Sequence, residues 1–148
     1  MRSSAVLLVP GAIDRFDARV RAIPGNLWNN PTPCAEWVVR AWERAAQRSR
    51  PSWAGADPSA TVHLSYADAS PATYAEQMLL DLTVHGWDLA RGCGQNATLD
   101  PEAVDRGLAY ARENVAGFAG YGIFDPPIPC TSAGPAVQLL ALLGRNAS

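Results

Sequence analysis

Gln77, Asp81, His85 and Asp88 recur at i, i+4, i+8 and i+11 within SPATYAEQMLLDLTVHGWDLARG, residues 70–92. At about 3.6 residues per turn, that spacing lines them up as one polar stripe along a helix. Asp81 and His85, one turn apart, have Cβ atoms roughly 5–6 Å from each other, close enough to hold one cation together. A catalytic zinc-type site commonly takes about three protein ligands and keeps a position for water or substrate, so this pair supplies two and needs a third from another helix. Asp88, one turn beyond His85, is placed to orient the imidazole as an outer hydrogen-bond acceptor, or to cap an adjacent chain end. The metal-free alternative is an internal hydrogen bond between Asp81 and His85 that satisfies both groups. His63 and His85 are the two histidines of the chain, which excludes a three-histidine site within it.

The helix that carries the stripe has Ala75, Met78, Leu79, Leu82 and Leu89 on one apolar face. Leu80, Val84 and Trp87 widen the apolar surface on the other side, so the helix is predicted to pack on more than one neighbour with the stripe pointing inward. An inward stripe needs partners. Ser70-Pro71 reads as its N-cap and first position, and Gly92 to Gly94 stop it. Upstream, Ile13 to Ile23 reads as an amphipathic helix ended by Pro24-Gly25, and whether it reaches back through Ala5 to Val9 is open. Thr32-Pro33 opens a second helix running to about Arg48, with Trp37, Val38, Ala41, Trp42 and Ala45 as its apolar face. Pro51 to Ser59 is a loop. Thr61 to Tyr66 alternates as one short strand or extended segment, with His63 on its polar, solvated side. Asp100-Pro101-Glu102 opens the next helix, which ends near Gly120 to Gly122. Asp125 to Pro129 is an extended, proline-rich crossing, and Ala136 to Leu143 is a short final helix stopped by Gly144.

These elements predict an all-α chain forming a single domain over the 148 residues. Twelve arginines face fourteen acids, a net charge of −2, which argues against a nucleic-acid or anionic-membrane surface. Arg40, Arg44 and Arg48 recur every fourth residue and read as a solvated helix face. No apolar run approaches the roughly 20 residues of a membrane span. Ala5 to Val9 is cut by Pro10-Gly11, too short for a secretory leader, so a cytoplasmic location is expected. Cys34, Cys93 and Cys130 are odd in number and widely spaced, and are expected to be free thiols.

Thr32-Pro33-Cys34-Ala35-Glu36-Trp37 with Val39-Arg40-Ala41, Asp81 to Arg91 as DLTVHGWDLAR with Gly94-Gln95, and the terminal Leu-Leu-Gly144-Arg145 keep their order over nearly the whole chain. Together they resemble the actinobacterial DinB-like proteins related to mycothiol-dependent maleylpyruvate isomerase. The resemblance implies an up-and-down four-helix bundle. It implies a divalent metal, zinc or nickel, held at one end by a histidine of the second helix and a carboxylate-x3-histidine pair of a later one. Asp81 and His85 occupy that pair. It further implies a small-molecule substrate, with mycothiol as a thiol co-substrate. Two departures stand out. Arg44-Ala45 occupies the place of the family's Asn-His step, and Ala45 cannot bind a metal. Only Ala46 to Ala60 stand where relatives carry another helix with its loops. The expected fold is therefore a DinB-like bundle lacking one helix, its uncovered face closed by the N-terminal segment, the last helix or a second copy in a homodimer. Two functions stay open. One is an enzyme-like metalloprotein that activates a low-molecular-weight thiol or water. The other is a non-catalytic bundle that serves in ligand or protein binding, with Asp81 and His85 as a structural pair.

Overall fold

The computed structural model describes residues 4–32, 52–53, 55, 57, 59–65, 67–121 and 124–147. The predicted second helix from Pro33 to Arg48 lies outside them, as do Cys34, Glu43, Arg44 and Ala45 and most of the stretch where a bundle helix was expected to be missing. The described residues form helices α1 (Ala5–Arg21), α2 (Pro71–Gly92), α3 (Pro101–Tyr121) and α4 (Pro135–Leu142). A 3-10 turn spans Gly25–Leu27, and strands β1 (Val62–His63) and β2 (Asp68–Ala69) form one small hairpin. The fold is an all-α helix bundle. None of its described helices is long and apolar enough to cross a membrane.

Helix α1 does extend back to Ala5, through Pro10. A proline inside a helix removes one backbone hydrogen bond and costs about 3 kcal/mol. The buried positions Ala5, Val9, Ala12, Ile13, Phe16 and Val20 nevertheless keep helical spacing across it. Val9 is fully buried, worth about 1.5–3 kcal/mol by itself, and Ala5 and Ala12 add to that, which offsets the proline.

Helix α2 begins where its cap signal places it. The Thr73 N–H donates to the Ser70 hydroxyl at 3.1 Å, and Pro71 takes the first position, where no N–H is needed. Gly94, at φ 66°, turns the chain away after the last turn. The two apolar faces of α2 meet different neighbours. Ala75 and Leu79 pack with Val9 and Ile13 of α1, and Leu89 packs with Phe16 and Val20. Leu80, Val84 and Trp87 pack with Val104 and Leu108 of α3 and with Leu139 and Leu143 at the chain's end. Helix α2 is therefore the inner element of the described bundle. Leu79 is fully buried there, and Leu79→Ala would cost about 2–5 kcal/mol.

Asp100 caps α3 by accepting from the Ala103 N–H at 2.9 Å. The loop that joins α2 to α3 is strapped to α1: the Arg19 guanidinium donates to the carbonyls of Asn96 and Thr98, and the Gln95 amide donates to the Arg19 carbonyl at 2.9 Å. The proline-rich crossing is extended and lies along α4, where the Ile128 N–H donates to the Ala141 carbonyl at 2.9 Å. Helix α4 starts one residue earlier than its apolar pattern suggests, because Pro135 is itself the first helical residue.

The expected single extended segment at 61–66 is corrected. Only Val62 and His63 are strand, and the chain doubles back through a turn closed by the Leu64 N–H on the Ala67 carbonyl at 3.0 Å. Val62 then faces Ala69, and His63 faces Asp68. Two-residue strands are too short to leave a periodic signal, so the return strand had none to read.

Candidate functional site

The stripe on α2 runs from the open surface into the core. Gln77 is half-buried and the Asp81 side chain is 41% exposed, whereas His85 is buried and Asp88 fully so. The inward part has its partners. Asp88 Oδ2 lies 3.0 Å from His85 Nδ1 and accepts from Arg145 Nη2 at 2.9 Å, while Asp88 Oδ1 accepts from Arg145 Nε at 3.3 Å. The remaining Arg145 nitrogen, Nη1, donates to the Leu143 carbonyl at 2.7 Å. Gly144, at φ 80°, makes the turn that sends Arg145 back toward α2.

Phe124 covers the group. Its ring stacks on the His85 imidazole at 5.5 Å between centroids and 22° between planes, and the Arg145 guanidinium sits 5.3 Å from the same ring's centroid. The expected role of Asp88 as orienter of the imidazole is thus met by geometry. Its other expected use, capping a chain end, is not. Arg145, which no spacing argument singled out, is the cation that a fully buried carboxylate requires.

This arrangement assigns the proton on His85. An ionised carboxylate only accepts, so the Nδ1 that faces Asp88 carries hydrogen, and in the neutral ring Nε2 carries the lone pair. Nε2 faces Asp81, with Nε2 and Oδ1 3.4 Å apart, and offers a lone pair there only when the ring is neutral. The separation is long for a strong hydrogen bond. It is the span of two ligands on one tetrahedral ion, because bonds of about 2.0–2.2 Å place neighbouring ligands roughly 3.3–3.5 Å apart. An imidazole whose one nitrogen is anchored to a carboxylate while the other faces a second carboxylate is an arrangement that metal-binding histidines use. Asp81 and His85 therefore fit an ion as two of its ligands. Among the described residues, no group of three or more His, Cys, Asp or Glu could hold one.

A cleft of about 150 Å³ opens beside Asp81, lined by Tyr74, Gln77, Met78, Leu80, Tyr110, Phe118 and Phe124 as well as Asp81. His63, Cys93 and Cys130 are not among its lining residues. His63 is exposed in the hairpin, where its Nδ1 pairs with Asp68 Oδ1 at 2.8 Å across the strands. Cys93 and Cys130 are free thiols, and burial pushes the Cys93 thiol above its ordinary value.

No family model matches the chain, and no solved structure matches it. Two uncharacterized proteins of Mycobacterium tuberculosis, one from each of two strains, are similar to part of it. Each is 39% identical over 91 residues, which covers 60% of this chain and 50% of the relative. The chain thus spans about half the length of the curated relatives it matches.

Proposed function

We propose that this chain is a divalent-metal protein related to the DinB-like, mycothiol-dependent maleylpyruvate isomerases, with Asp81 Oδ1 and His85 Nε2 as two ligands of a zinc or nickel ion. The observation that carries this reading is the 3.4 Å between those two atoms, together with the Asp88 contact that occupies Nδ1 and leaves Nε2 facing Asp81. When bound, such an ion lowers the pKa of a coordinated thiol or water and so supplies a nucleophile at neutral pH. The chain's own residues do the rest. Arg145 neutralises Asp88, Asp88 fixes the imidazole, and Phe124 keeps water from that side of the ring. The cleft beside Asp81 is the place for a small-molecule substrate, and mycothiol is the thiol co-substrate that the motif resemblance suggests. A cytoplasmic setting suits that chemistry.

Elemental analysis tests the reading directly. Protein prepared without chelator and re-equilibrated with zinc or nickel should retain close to one ion per chain, and an Asp81→Ala/His85→Ala variant should retain none. Absence of metal from both would sink it.

A second reading has its own observation: among the described residues the pair lacks a third donor. On that reading the bundle is non-catalytic, Asp81 and His85 form a structural pair, and the protein serves in ligand or protein binding, alone or as a homodimer. The same metal-free result would favour it.

A further inference from the structure

The cleft beside Asp81 has a chemistry of its own. One wall is a ladder of rings that ends on the imidazole. Tyr110 and Phe118 lie 6.2 Å apart at 42°, Phe118 meets Phe124 edge-on at 5.6 Å, and Phe124 stacks on His85 at 5.5 Å. Besides the tyrosines, the polar members are Gln77 and Asp81, one turn apart on α2. The volume of about 150 Å³ matches an engineered apolar cavity that takes up benzene, so one six-membered ring is the right size of guest.

The head group follows from charge. Asp81 presents a carboxylate, which accepts hydrogen bonds and repels anions. Arg145 does not reverse that preference: its side chain is 2% exposed, its donors are engaged with Asp88 and the Leu143 carbonyl, and no arginine is among the described residues that line the cleft. With no ion on Asp81, a ligand here must therefore give a proton-bearing group to Asp81 and carry no negative charge of its own. We propose that the cleft binds a small uncharged aromatic molecule bearing a hydroxyl, its ring on Tyr110 and Phe118 and its O–H donating to Asp81. Aromatic walls favour such a ring in offset or edge-on contact. An ion on Asp81 would offset that charge, so the proposal concerns the ion-free cleft and is tested there, separately from the metal reading.

Fluorine NMR tests this with 4-fluorophenol and 4-fluorobenzoate, on the full chain as purified and again after chelation. The phenol signal should shift and broaden saturably in the chelated sample, with the benzoate at least about tenfold weaker because its charge faces Asp81, and any ion retained in the purified sample should narrow that difference. Met78→Trp and, separately, Gln77→Trp fill the cleft from its rim, and whichever variant keeps the wild-type circular dichroism should lose the phenol. Asp81→Asn removes the charge and should narrow the gap between the two probes. Benzoate binding as tightly as phenol in the chelated sample, or phenol binding that survives both tryptophan variants, would overturn the proposal. Phenol binding in the chelated sample alongside absent metal uptake would uphold it while the metal reading failed.

Discussion

Asp88 and Arg145, 57 positions apart in the chain, meet through two hydrogen bonds with their side chains 0% and 2% exposed. The pair fastens the end of the described chain to the C-terminal part of the inner helix and sets the orientation of His85. Taking two charges out of water costs several kcal/mol per ion, and geometry of this kind roughly offsets that cost. The pair is therefore better understood as a device for placing one imidazole than as a large net source of stability. Its members are far more costly to remove singly than together.

Asp88→Ala leaves a buried guanidinium without its counter-ion, and Arg145→Met leaves a buried carboxylate without its main donor. Each should lower the unfolding free energy by about 3–5 kcal/mol in urea titrations. The double variant Asp88→Leu/Arg145→Met, which buries no orphan charge, should lose less than either single change. Two single losses both below about 1 kcal/mol would mean that water reaches the pair.

The tautomer of His85 is open to direct measurement, because His63 is the only other histidine. A His63→Asn variant isolates the His85 signals, and His63 is exposed, so little else should change. Long-range proton–nitrogen correlation at about pH 8, where an ordinary imidazole is neutral, should show the hydrogen on Nδ1. Hydrogen on Nε2 with none on Nδ1 would contradict the arrangement, since Asp88 would then face a lone pair.

Cys93 and Cys130 should differ in reactivity. Burial raises the Cys93 thiol above its ordinary 9.0, so less of it is thiolate at a given pH, whereas Cys130 is exposed. Under limiting iodoacetamide at about pH 7.5, peptide mapping should find Cys130 modified before Cys93. The sign for stability follows from the same shift. A raised folded value means that the folded chain holds the proton longer than the unfolded one. The contribution of Cys93 is then present below the unfolded pKa and fades as pH rises through the folded one. Equal labelling rates would show that the Cys93 side chain is not shielded.

Much of this was legible in the residues, for reasons that differ by element. Ser70-Pro71 and Asp100-Pro101 each combine a side-chain acceptor with a residue that needs no N–H, a local signal that no packing overrides, and both helices start there. The start of α1 is not legible locally because Pro10 argues against helix, and only the buried contacts of Ala5 and Val9 with α2 decide it. At the site, the stripe was visible and so was its demand for partners. Its chief partner was not, because periodicity compares residues on one element, and Arg145 reaches Asp88 only through a turn at Gly144 and the packing of α4. One clue was present: a basic residue directly after the last apolar helix, in a chain whose inner helix carries a buried acid.

That turn can be tested against an internal control. Gly94 and Gly144 both have positive φ, 66° and 80°. Around Gly94 an added Cβ meets nothing within 4 Å, so Gly94→Ala should cost only the left-handed strain, about 1–2 kcal/mol. At Gly144 the same atom would collide with the Asp125 Cβ and come within 3.0 Å of its carbonyl, so the segment beside Phe124 must move as well. Gly144→Ala should therefore cost about 2 kcal/mol more than Gly94→Ala, and Arg145, the next residue, should lose its register on Asp88. If that loss runs through Arg145, the excess should shrink when Gly144→Ala is added to Asp88→Leu/Arg145→Met, since the pair it disrupts is already gone. An undiminished excess would place the whole effect in the collision with Asp125.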